Sequence, residues 1–194
     1  MTISPMEVSI SSTALVYVSS HSSTIEQKFN NYLQHAIGHI SALARTTSDP
    51  STFIFMGGDI ASHPGEFRPT SYLPLPSLIT PNPLNPSSPT PCPGHIFQHI
   101  HPQKKSNTPF YKPGTWPGGA PCNDDPKAAR ESHGKLQLVD AQKQVLVILA
   151  HDECMEDVIE FFPEKANGWR EWGWGDRARW LFLGDFREAV GMPE

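Results

Sequence analysis

TFIFMGGDIASH, residues Thr52 to His63, is the stretch on which the reading of this chain turns. Its four consecutive apolar residues, Phe53 to Met56, suffice for a buried strand and are too few for a helix. Gly57 and Gly58 follow, and they permit a tight turn and a close approach of backbone to a ligand. Asp59 then falls just past the carboxyl end of the strand, where open α/β sheets place their chemistry, and His63 follows four residues on. Gly-Gly-Asp is also an ordinary turn. The question is whether other ligand types converge on it.

A second run of the same kind, VLVILA from Val145 to Ala150, ends in His151 and Asp152. If the two strands lie parallel in one sheet, their carboxyl ends share an edge and Asp59 meets His151. His35 and His39 are further candidates. Two histidines and a carboxylate suit zinc, or iron or manganese with water in the remaining positions. A metal held by Asp59 would lower the pKa of a bound water. His63 and Asp152 would then orient ligands or carry protons. The competing reading is structural. His35 and His39, four apart, can cap or face solvent on a helix, and His151 can hydrogen-bond a backbone carbonyl. Spacing alone leaves both open.

Other chemistries are excluded. There is no GxSxG nucleophile elbow, and no GxGxxG or GxxxxGK[ST] phosphate cradle. Cys154 reads as a small apolar residue on a helix rather than a nucleophile. The 194 residues fit one domain with room for a core. A net charge of −5, with no basic cluster longer than Lys104-Lys105, argues against a nucleic-acid partner. Three dispersed cysteines make neither a disulfide framework nor a CxxC metal site. With no leader and no run of membrane-spanning length, a cytoplasmic protein without a membrane partner is expected.

Residues 1–31 read as a loose, divergent segment, with ALVYV (Ala14 to Val18) as a short strand. Thr24 and Gln27 have the form of a capping box, and Ile25, Phe29, Leu33 and Ile37 share one helical face. That helix can run on through Ile40, Ala42, Leu43 and Ala44, or break at Gly38 into a turn. Between residues 64 and 126 lie sixteen of the twenty prolines, and the run YLPLPSLITPNPLNPSSPTPCPG (residues 72–94) within it cannot form a helix interior or a central strand. This segment is a disordered linker or an irregular loop. Its apolar residues, Leu73, Leu75, Phe97 and Phe110 among them, favour a loop tied to a core. Helices are expected over Ala128 to Val139 and from Glu153 to Phe162, ahead of Pro163. The tail, with Trp169, Trp172, Trp174 and Trp180, reads as a C-terminal cap.

HAIGHISALART (His35 to Thr46), FIFMGGDIASHPGEFRPTSYLPLP (Phe53 to Pro76), VLVILAHDECMEDVIEFFP (Val145 to Pro163) and RWLFLGDF (Arg179 to Phe186) resemble the C-terminal portion of fungal metallo-β-lactamase-fold hydrolases. The resemblance covers about residues 32 to 190. It implies an α/β fold, namely the C-terminal half of an αββα sandwich with a long Pro-rich loop, and a zinc-dependent hydrolase acting on lactone, ester or amide-type bonds of a small-molecule substrate. It makes His35, Asp59 and His151 metal ligands, with Asp59 the bridging carboxylate and the candidate catalytic residue, and His39 a nearby supporting residue. The family's HxHxDH motif, which supplies most ligands of both metals, is absent from residues 1 to 34. A truncated chain of low or no activity is therefore expected, holding at most one zinc weakly. The alternative is a non-catalytic remnant or interaction protein. Loss of one half of a sandwich would expose an apolar sheet face and favour self-association.

Overall fold

The computed structural model describes residues 7–10, 16–19, 39–112, 114 and 123–192. Strand β1 (Glu7–Ile10) pairs antiparallel with β2 (Val16–Ser19) within the segment expected to be loose. The centre of the molecule is a three-stranded mixed sheet of β3 (Ala42–Ser48), β4 (Ser51–Gly58) and β7 (Val145–Leu149), in the order β3-β4-β7. β4 is antiparallel to β3 and parallel to β7, so the two apolar runs lie side by side, with Ile54 opposite Leu146 and Phe55 opposite Val147.

A run that is apolar at every position should be a strand buried on both faces, and β4 is one. Ile54, Leu146 and Ala44 pack on one face against Met155, Val158, Ile159, Trp169 and Trp174. Phe55, Val145 and Val147 pack on the other against Ile60, Phe67 and Leu136, the last from helix α2 (Pro126–Asp140). This corrects the expectation of an apolar sheet face left bare. Over β4 and β7 the chain covers both faces itself, and only at the β3 edge do Leu43 and the neighbouring Ile40 stand exposed.

Of the two readings left open after Gly38 the chain does not take the helical one, and one expected helix is replaced by turns. Residues 42–48 form β3, not the continuation of a helix; the segment from 24 to 37 lies outside the described residues. After β7 the chain makes only a 3-10 turn (Glu153–Met155) and further turns, where a helix to Phe162 was expected. Met155, Val158 and Ile159 still reach one core, because turns satisfy the same i, i+3, i+4 spacing. α2 is as expected, capped by the Asp125 carboxylate accepting from the amides of Lys127 and Ala128.

The Pro-rich segment has a core of its own. Leu75, Ile79, Leu84, Cys92, Phe97 and Phe110 are buried together with Trp180, Phe182 and Leu183 from the tail. Regular structure is brief here: β5 (Leu78–Ile79), β6 (Cys92–Pro93) and helix α1 (His95–Ile100). Prolines remove ladder donors, and side chains take over. Buried His101 places Nε2 2.9 Å from the Thr108 carbonyl while Nδ1 accepts the Gln103 amide. The tail adds helix α3 (Trp174–Ala178) and a 3-10 segment (Leu181–Phe186). It reaches back to the sheet, where Trp169 Nε1 donates to Thr46 Oγ1 at 3.2 Å. Trp169, Trp174 and Trp180 are buried, while Trp172 is exposed.

Candidate functional site

The site is built where β4 and β7 end together. A register shift between Met56 and Gly58 closes the pairing, and the Ala150 amide donates to the Gly58 carbonyl at 3.0 Å just past the last strand residues. Gly58 has φ of +57°, a left-handed conformation that side chains disfavour. A Cβ at this position would also stand 2.8 Å from His39 Nε2. Glycine thus lets the chain turn and lets His39 come close. The turn aims Asp59 across at His151, with His151 Nε2 lying 3.0 Å from Asp59 Oδ1.

The pair is partly open. The His151 side chain is 67% exposed, yet Asp59 Oδ1 is itself buried and accepts no hydrogen bond of good geometry. The His151 ring thus comes close to the carboxylate without making a satisfied hydrogen bond to it. His39 supports Asp59 through the backbone: its Nε2 accepts the Asp59 amide at 3.0 Å, which leaves the buried Nδ1 to carry the proton without a partner. Ser41 fixes the approach by donating its hydroxyl to the Gly57 carbonyl.

His63 and Asp152 occupy an adjoining group. His63 caps the 3-10 turn Pro64–Glu66, with Nδ1 accepting the Gly65 amide and Nε2 donating to Asp185 Oδ2, both at 2.9 Å. The rings of Tyr111 and Phe182 stand edge-on to it. Burial pushes the Asp152 carboxyl up, and the charges of Arg68 and His63 oppose that shift. Cys154 is pushed up to about 12 by burial and then by the nearby carboxylates, chiefly Asp152 and Asp185, so its sulfur remains a thiol and no nucleophile.

Three supports were not found from the sequence. Asp185 lies 122 positions from His63, beyond any local signal. Buried His133 of α2 places Nε2 2.8 Å from the carbonyl of Ile60, the residue after Asp59, and 3.6 Å from Glu66 Oε2. It shares the helix stripe of Ala129, Leu136 and Asp140, the one signal that could have marked it. Arg68 forms a two-pronged ion pair with Asp140 (Nε to Oδ2 2.8 Å, Nη2 to Oδ1 2.5 Å) and donates Nη1 to the Arg179 carbonyl.

Of the expected site residues, the structure brings together Asp59, His151 and the His39 ring. It places His63 with Asp185 and puts Asp152 in the same neighbourhood. His35 lies outside the described residues. Protein zinc sites use three or four side-chain ligands. Here Asp59 and His151 are two, His39 Nε2 already serves the Asp59 amide, and among the described residues no group of three or more His, Cys, Asp or Glu side chains is arranged to hold a metal ion. The described residues by themselves do not fit a zinc ligand set.

With that geometry in view, part of this chain is related to fungal lactamase-like metallo-hydrolases. It is 47% identical over 152 residues to the gamma-lactamase FDB1 of Fusarium pseudograminearum, a match covering 78% of this chain and 36% of that protein. It is 41% identical over 156 residues to the metallo-hydrolase mfmC of Annulohypoxylon moriforme, covering 80% and 39%. A shorter stretch of 84 residues is 56% identical to the gamma-lactamase MBL2 of Gibberella moniliformis, covering 43% and 35%. The chain thus spans little more than a third of the length of these curated relatives. No protein-family model matches it, and no solved structure matches it. Among the described residues, no helix is long and apolar enough to cross a membrane.

Proposed function

We propose that this chain is a non-catalytic relative of the lactamase-like metallo-hydrolases, carrying one part of a hydrolytic metal site and having low or no hydrolase activity by itself. In this reading the central sheet with its covering layers corresponds to the C-terminal half of an αββα sandwich. Asp59 and His151 are ligand positions, His35 is a third, and a single zinc would bind weakly at most. The observation that carries the proposal is the Asp59–His151 pair: two ligand types meet at 3.0 Å on the strand ends, with no third side chain joining them among the described residues. The bond class such a site would act on, in a chain that completed it, is a cyclic amide or lactone of a small molecule. Support for the cyclic amide comes from the relatives named gamma-lactamase.

The test is elemental analysis of the purified chain together with γ-lactam, lactone and β-lactam turnover. Substoichiometric zinc and turnover at the buffer rate are expected. Two equivalents of metal that are lost in Asp59→Asn, accompanied by clear turnover, would overturn the proposal.

A further inference from the structure

Seven of the protein's nine histidines fall among the described residues, and five of these have polar partners. His39 accepts the Asp59 amide, His63 donates to Asp185, His101 and His133 bond carbonyls, and His151 meets Asp59. The other two, His95 and His99, are different. Both are exposed and lie four apart on α1, where Cβ atoms stand roughly 5–6 Å from one another. Their rings approach each other, with centroids 6.1 Å apart and planes at 87°. Neither ring has a hydrogen-bond or ion-pair partner among the described residues. Phe97, between them in sequence, is fully buried and anchors the helix, so packing does not require either imidazole.

We propose that His95 and His99 form a surface two-imidazole site for a divalent first-row transition metal, with Cu2+ bound most tightly. Two histidines at i and i+4 on one helix face are the spacing by which a helix chelates a single ion. Exposed rings can rotate to bring one nitrogen each within the roughly 2.0–2.1 Å typical of an imidazole bond to zinc. Affinity along the first-row divalent series peaks at Cu2+, whose tetragonal geometry accepts two nitrogens with water in the remaining positions. Helix α1, HIFQHI, contains no carboxylate, so Ca2+ and Mg2+, which require oxygen ligands, are not served. The bound ion would tie the first turn of α1 to its last. A six-residue helix is too short to hold itself, so the metal would stabilise α1 and the Pro-rich core that Phe97 anchors.

The test is titration of the full chain with Cu2+, followed by calorimetry and by electron paramagnetic resonance. The expected result is one bound equivalent, weaker than a three- or four-ligand site would give, with hyperfine coupling to two nitrogens. Removing a group that merely orients a metal ligand costs roughly 10–100-fold in affinity, so removing a ligand should cost more than about tenfold. That loss is expected in His95→Ala and in His99→Ala, with circular dichroism unchanged, and not in His151→Ala. The more conservative His95→Gln should show the same loss. Cu2+ affinity unchanged in these variants, or a wild-type spectrum without two-nitrogen coupling, would overturn the site. The strand-end reading stands or falls separately: metal lost in the His95→Ala/His99→Ala double variant belongs to α1, and metal lost in Asp59→Asn belongs to the strand ends.

Discussion

His133 holds the loop that carries Asp59 from beneath, and its protonation state follows from two contacts. Nε2 must bear a proton to donate to the Ile60 carbonyl, while Nδ1 is buried without a partner. A second proton on Nδ1 would put a charge into the apolar layer of Leu136 and Phe67, and burial accordingly lowers this histidine below its ordinary 6.5. The stability it supports is full above pH 6.5, where folded and unfolded chains both hold it neutral. As pH falls through 6.5 the unfolded chain takes up a proton that the folded chain resists, and stability drops until the folded pKa is reached. Glu66, 3.6 Å away, acts in the opposite sense. Burial raises its carboxyl above 4.5, so the folded state takes that proton first and regains stability at lower pH. Urea midpoints of the native protein should therefore fall as pH drops below 6.5, and His133→Gln should flatten that decline. Equal slopes would remove His133 from the account.

At the scale of elements, the Pro-rich segment is organised by α1. Phe97 is fully buried against Leu75, Phe110 and Phe182, so Phe97→Ala should cost about 3–5 kcal/mol by chemical denaturation. A change well under about 1 kcal/mol would mean that this core does not contribute to global stability. The sequence disclosed β4 and β7 because strands buried on both faces read as unbroken apolar runs, and parallel neighbours place their ends together. It did not disclose β3. ISALA offers small and apolar residues at spacings that suit a helix as well as a strand, and its exposed Leu43 breaks the alternation. The stretch after His151 misled for the opposite reason. Met155, Val158 and Ile159 do share one face, but that face is reached by turns. The ligand positions Asp59 and His151 were legible as polar residues ending apolar runs. Their supports were not, since Asp185, His133 and Asp140 act across 72 to 122 positions of chain.

Across the whole molecule, the Arg68–Asp140 pair joins the start of the Pro-rich segment to the end of α2, and the Arg179 carbonyl brings in the tail. Both side chains are almost completely buried. Removing one partner leaves the other as an unpaired buried charge, so Asp140→Ala should destabilise by about 3–5 kcal/mol. The paired replacement Arg68→Met with Asp140→Leu should restore much of that loss. If the double variant were as unstable as the single one, charge pairing would not be what Asp140 contributes.

The parallel pairing of β4 with β7 also bears on how the chain is made. Phe53 leaves the ribosome about ninety residues before its partner Val145, and domains fold as units during synthesis. Asp185, which steadies His63, emerges later still. On a nascent chain that has not reached the tail, β4 has β3 on one side and nothing on the other, an unpaired apolar strand edge of the kind that draws chaperones. The meeting of Asp59 with His151 is therefore a late event in translation, and the half-made protein is at its stickiest while the prolines are being added.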